Sequence, residues 1–163
     1  MPIIEPVIRP PSEAGSLVLQ VTVGCSGSTC TFCGAYQNKR FVIKDETEIC
    51  DDIHHAARQY PNTRRVFLLD GDALAFPHKR LIPVLDAINQ TFPRLTRIAS
   101  YANGYNITRR NHQELEDLAA RKLRLIYMGL ESGSQQILDM HRKPSSVDHM
   151  INAVRQAEQA DIK

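Results

Sequence analysis

Four times along this chain a short strand-forming run is followed by a longer stretch with helical spacing. The runs lie at residues 17–23 (LVLQVTV), 65–69 (RVFLL), 95–100 (LTRIAS) and 123–130 (LRLIYMGL). The helical stretches lie at 45–60, 79–90, 111–121 and 147–160. Ile49, Ile53, Ala56 and Ala57 share one face of the first, and Leu115, Leu118 and Ala119 one face of the third. Asp45 stands as an N-cap with Glu48 three residues on, a capping-box arrangement. Strands separated by helices pair in parallel through right-handed crossovers. An open doubly wound sheet and a (β/α) barrel both fit this order. Asp161, Ile162 and Lys163 fall where a further strand is due, well short of the roughly 250 residues of a full barrel. The expected fold class is therefore α/β: a partial (β/α) barrel of about four β/α units with parallel strands, truncated before the fifth strand. Inward faces of the outer strands would then lack an opposite wall, so a marginally folded or self-associating chain is expected.

Residues 1–15 carry Pro2, Pro6, Pro10 and Pro11 and read as an extended proline-rich N-terminal arm, either packed across the core domain or loose. Residues 16–163 form that core domain. With 42% hydrophobic and 23% charged residues, the chain is neither a disordered tail nor a coiled-coil rod. A formal charge of +2 gives no evident nucleic-acid surface and no pull toward anionic membranes. No apolar run approaches the roughly 20 residues that span a bilayer, and the opening MPIIEPVIRPPSEAG lacks the layout of a secretory signal. A cytoplasmic protein is expected.

Cys25, Cys30 and Cys33 lie within nine residues, and Cys50 stands apart. Clustered thiols in a reducing compartment favour a metal or redox role. A structural zinc site would need a fourth ligand, from Cys50 or from His54 or His55. A thioredoxin-like pair would use Cys30 and Cys33 and leave Cys25 without a role. Three thiolates on an iron–sulfur cube leave one iron open for chemistry. Inert burial suits this loop poorly, because Gly24, Ser26, Gly27, Ser28 and Thr29 make it too polar. Cys50 itself reads as a small core hydrophobe, and His54, His55 and His78 as helix histidines without partners at ligand spacing.

The stretch GCSGSTCTFC, residues 24–33, resembles the cluster motif of the radical SAM (S-adenosylmethionine) superfamily. That motif is usually C-x3-C-x-aromatic-C after the first barrel strand; here the first gap is one residue longer, and Phe32 supplies the aromatic. Three more segments resemble the family at the ends of later strands. They are Asp70-Gly71-Asp72, the run 100–104 (SYANG) and the run 129–134 (GLESGS) with Met140-His141-Arg142-Lys143 beyond it. The fourth segment is similar to that of methylthiotransferase-type and oxygen-independent coproporphyrinogen oxidase-like members. All four fall on the face where parallel barrels gather function.

The resemblance implies a [4Fe-4S] cluster held by Cys25, Cys30 and Cys33, with SAM chelating the open iron. It implies SAM contacts from Phe32, Gly71, Asp72, Ser100, Asn103, Glu131, Ser132 and Arg142, with Glu131 on the nucleoside and Arg142 on the carboxylate. The implied activity is reductive SAM cleavage to a 5′-deoxyadenosyl radical that abstracts hydrogen from a substrate the sequence leaves open. An electron donor such as a flavodoxin or ferredoxin is implied as partner. Each residue also has a plainer reading: Asp70 and Asp72 as turn or cap residues, Glu131 as a rim carboxylate, Arg142 as a surface cation and Ser134 as the N-cap of a helix from Gln135. The alternative function is a non-catalytic [4Fe-4S] electron-transfer or structural metal-binding domain, with Cys50 as fourth ligand.

Overall fold

A computed structural model describes residues 3–27, 29–36 and 38–163. The elements run β1 (Leu17–Gln20), β2 (Thr22–Val23), β3 (Val42–Ile43), α1 (Glu46–Gln59), β4 (Arg65–Leu69), α2 (His78–Thr91), β5 (Arg97–Tyr101), α3 (Gly104–Thr108), α4 (His112–Ala120), β6 (Leu123–Tyr127), α5 (Gln135–Met140) and α6 (Val147–Gln159). Strands β1, β4, β5 and β6 form one sheet in that order, all parallel. The strand expected at 17–23 is two strands. β1 joins the main sheet, whereas Thr22 and Val23 pair antiparallel with Ile43 and Val42. This small hairpin brackets the cysteine loop at its two ends. The last expected strand stops at Tyr127 rather than Leu130, and the five-residue α3 had no counterpart in the hydrophobic pattern.

Side-chain chemistry sets the helix starts. Asp45 accepts from the Thr47 N–H at 2.9 Å, but Glu48 does not close the expected box. It turns to Lys44 at 2.9 Å, which also pairs with Asp52 at 2.7 Å, because a lysine only 4% exposed needs carboxylates around its ammonium. Capping boxes do form at Asn111 with Glu114 and at Ser146 with His149.

One face of the sheet carries the helices. Leu19, Val66, Leu68, Ile98 and Leu123 pack with Ile49 and Ile53 of α1, Leu81 and Leu85 of α2, Leu115 and Leu118 of α4 and Ala153 of α6 in a single cluster. A doubly wound sheet carries helices on both faces; here they cover one, as in a barrel wall. A bulge between Ile98 and Ala99 shifts the register against β6. It explains why Leu123 faces the helices while Leu125 faces the other way.

The other face presents Val18, Phe67, Leu69, Ala99, Tyr101, Leu125 and Tyr127, and the N-terminal arm packs on it through Ile3 and Val7. The arm is therefore packed, not loose. Ile4 exchanges backbone bonds with the Gln20 amide at 2.9 and 3.2 Å. Lys39 donates to the carbonyls of Ile4 and Pro6 at 2.6 and 2.8 Å. A 3-10 turn at Pro11–Glu13 buries Glu13 fully against Ser16, Arg97 and Tyr127. At the opposite edge Lys163 bonds Arg124 and Ile126 at 3.0 and 2.7 Å, in the manner of a parallel ladder. Among the described residues no helix is long and apolar enough to cross a membrane.

Candidate cofactor site at the strand ends

The cysteine loop folds over the C-terminal ends of β4, β5 and β6 and encloses a cavity of about 240 Å3. Cys25, Cys30, Phe32, Cys33 and Tyr36 line it from the loop. Gly71 follows β4, Tyr101 to Asn103 close β5, and Tyr127, Gly129 and Glu131 follow along β6. Ile8 of the arm and Lys143 complete the wall.

Backbone contacts explain the glycines. Gly71 donates to the Gly24 carbonyl at 3.0 Å. A Cβ on Gly71 would lie 2.5 Å from the Cys25 Cβ and 2.8 Å from its sulfur, so only glycine lets the strand end reach the thiol. Gly24 has φ +76° and sits where a Cβ would meet the Lys39 carbonyl at 2.8 Å. Both are fixed by Asp70, fully buried at φ +70°. Its carboxylate accepts from Gln20 at 2.6 Å, from the Gly24 N–H at 3.1 Å and from Lys39 at 3.0 Å. Asp70 shapes a turn, as its plainer reading held, and ties arm, β1 and loop together at one carboxylate.

Four expected contacts do line the cavity: Phe32, Gly71, Asn103 and Glu131. Phe32 is 45% exposed and meets the His141 ring edge-on at 5.8 Å between centroids. Asn103 accepts from the buried Ser145 hydroxyl, which itself accepts from the Tyr105 N–H at 3.1 Å. Glu131 sits 3.4 Å from Lys143.

The other four lie off it. Asp72 is fully buried beneath the loop, accepting from Ser26 and, at 2.6 Å, from Asn106. Burial pushes its carboxyl above the usual range despite those bonds. Ser100 lies between Ala99 and Tyr101, which face the cavity side, so alternation turns it toward the helices. It is fully buried there, its hydroxyl without a partner among the described residues. Ser132 shapes its own turn, its hydroxyl accepting from the Ser134 N–H at 3.0 Å. Ser134 precedes α5 but makes no side-chain cap bond. Arg142 stands outside the cavity at φ +53°, and the residue after it, Lys143, reaches in.

Sequence reasoning missed Lys143 as a site residue. The signal is a Schellman turn at the end of α5: Arg142 N–H bonds Asp139 at 3.0 Å and Lys143 N–H bonds Leu138 at 2.9 Å. The left-handed residue reverses the chain, so its neighbour carries the inward charge.

Burial pushes the Cys25 thiol up to about 11. It raises Cys30 as well, with Lys143 opposing. Cys50 is half-buried on α1 and is not part of the cavity wall. His78 is held by Arg110 at 3.2 Å and Asp117 at 3.3 Å, and His55 meets Gln59 at 3.1 Å.

The sequence profile of the radical SAM superfamily matches residues 19–163. The chain belongs to the radical SAM superfamily. The cobalamin-dependent S-adenosylmethionine radical enzyme OxsB superposes with a TM-score of 0.69 at 20% identity, over 90% of this chain and 22% of that one. Methylornithine synthase (PylB) gives 0.66 at 15% identity, over 90% and 42%. Coproporphyrinogen III oxidase (HemN) from Escherichia coli, a radical SAM enzyme, gives 0.63 at 12%, over 88% and 34%. At such identities the likeness speaks for the fold, and the chain spans less than half the length of each. No curated protein matches significantly.

Membership in the radical SAM superfamily brings a [4Fe-4S] cluster and SAM as cofactors. The donor set fits them. Cys25, Cys30 and Cys33 line one cavity, a set of soft thiolate donors of the kind that holds an iron–sulfur cluster. A cation, a carboxylate and an amide in the same wall, Lys143, Glu131 and Asn103, suit an amino acid joined to a nucleoside.

Proposed function

We propose that this chain carries the cluster and SAM site of a radical SAM enzyme. The observation that carries the reading is one cavity walled both by Cys25, Cys30 and Cys33 and by the polar ends of β4, β5 and β6. When bound, the reduced cluster supplies the electron that cleaves SAM to methionine and a 5′-deoxyadenosyl radical, the species that abstracts hydrogen from a substrate.

The three cysteines hold the cluster as thiolates. Burial disfavours the ionised form of Cys25 and Cys30, so iron must displace their protons on binding. Gly71 admits close backbone approach beside Cys25. Lys143, its side chain 11% exposed, replaces Arg142 as the cation for the SAM carboxylate. Asn103 and Glu131 serve the nucleoside, and Phe32 covers the loop side. Asp72 acts indirectly, holding Ser26 and Asn106 in place. The exposed Phe32 side suits docking of a flavodoxin- or ferredoxin-type donor. Four free cysteines suit a cytoplasmic setting. The electron-carrier alternative loses support because Cys50 stands off the cavity.

Anaerobic reconstitution should give about four irons and four sulfides per chain, abolished by Cys25→Ala, Cys30→Ala or Cys33→Ala and untouched by Cys50→Ala. SAM should then change the electron paramagnetic resonance spectrum of the reduced cluster. Iron lost as completely from Cys50→Ala would return the carrier reading.

A further inference from the structure

Two segments far apart in sequence meet at one edge of the cavity. Thr31 of the cysteine loop donates its N–H to the His141 carbonyl at 3.0 Å. Its hydroxyl lies 3.3 Å from His141 Nδ1. The Thr29 hydroxyl donates to the Arg142 carbonyl at 3.0 Å. Phe32 abuts the His141 ring. His141 is also the C-cap of α5, immediately before the Schellman turn that sends Lys143 into the cavity. A non-glycine residue at the left-handed position of such a turn is strained. Arg142 occupies it at φ +53°, so contacts from outside must hold the turn.

We propose that His141 is a positioning residue which couples the thiol-bearing loop to Lys143, so that a correctly folded cluster loop presets the cation that receives the SAM carboxylate. The inference rests on the SAM-site reading above. Its physical basis is that the imidazole contacts both Thr31 and Phe32, while the turn it precedes fixes the direction of the Lys143 backbone. Two of the ties, to the His141 and Arg142 carbonyls, are backbone-accepted and survive removal of the ring. They anchor loop and turn alike, so the part assigned to His141 is what its imidazole adds to them through Thr31 and Phe32.

The test uses the full chain, reconstituted anaerobically, with iron content and SAM affinity read separately by metal analysis and spectral titration. His141→Ala should keep its iron and bind SAM about tenfold more weakly, the scale of one weakened charge-assisted contact. His141→Asn, which keeps a hydrogen-bonding atom near the Nδ1 position, should recover most of that loss. In a Lys143→Met background, His141→Ala should add little, because coupled residues are non-additive. Additive losses, or unchanged SAM affinity in His141→Ala, overturn the proposal. So does iron loss from both His141 variants while the parent loads normally, since His141 would then be a prop for the loop alone. A parent chain that takes up no iron or no SAM fails earlier and refutes the site reading itself.

Discussion

On its helix side the sheet presents Leu19, Val66, Leu68 and Ile98; on its other side it presents Gln20, Phe67, Ala99, Tyr101 and Tyr127. The first face is covered by the helices of its own crossovers, each delivered within about thirty residues of the strand it covers. The second is covered by a segment from the start of the chain, which packs Ile3 and Val7 on it and is pinned by polar bonds as well. Its rings meet edge to face, Phe67 to Tyr101 at 5.3 Å and Tyr101 to Tyr127 at 6.0 Å. In a closed barrel that interior is filled by side chains from opposite strands. Here the arm lies on that face through Ile3 and Val7. Dispersion and burial hold one face together. On the other, a few buried charges decide whether the cover stays.

The largest effect should come from deleting residues 3–13. That uncovers Phe67, Leu69 and Ala99 and strips Lys39 of its two carbonyl acceptors. Self-association by light scattering and a sharply lower urea midpoint are expected. A loss smaller than that of a single helix-side truncation would mean the arm is dispensable.

Lys39→Met comes next. It leaves the Asp70 carboxylate buried without its cation, at a cost of about 3–5 kcal/mol. Adding Asp70→Asn should restore part of it in equilibrium unfolding. Leu85→Ala, on the helix side, should cost about 2–5 kcal/mol, leaving arm and cavity unchanged by hydrogen exchange.

The smallest effect is a pH dependence confined to the arm side. Burial alone would raise the Glu13 carboxyl, but Ser16, Tyr127 and Arg97 outweigh it and hold it below its ordinary value. A carboxyl lowered in the folded state stabilises above its unfolded value, about 4.3. That contribution fades as pH falls through the folded value. The urea midpoint should drop on acidification, and Glu13→Gln should flatten that part of the drop. An identical acid limb in both proteins would leave Glu13 without an energetic role.

The site was legible wherever chemistry is concentrated in consecutive residues. The three cysteines, Gly71, Asn103 and Glu131 all sit on the cavity, because each lies just past a strand that points the same way. Ser100 lies off the cavity because alternation along β5 sets it opposite Ala99 and Tyr101, and which of the two faces is inward was decided by the sheet. Asp72 could not be placed this way: whether a strand-end carboxylate faces a ligand or sinks beneath a loop depends on Ser26 and Asn106, far off in sequence. The choice between Arg142 and Lys143 rested on one left-handed residue in the turn after α5, which no spacing rule marks when glycine is absent.

By itself the amino-acid order determined the succession of strands and helices, their parallel pairing and the three-thiol loop, since these follow from hydrophobic period, caps and local spacing. Only the tertiary structure decided that the helices share one face, that the arm lies on the other and that Lys143 rather than Arg142 enters the cavity. Those outcomes depend on contacts between segments 110 and 114 residues apart, Thr31 with His141 and Glu13 with Tyr127. Such contacts form only once the sheet has brought the segments together.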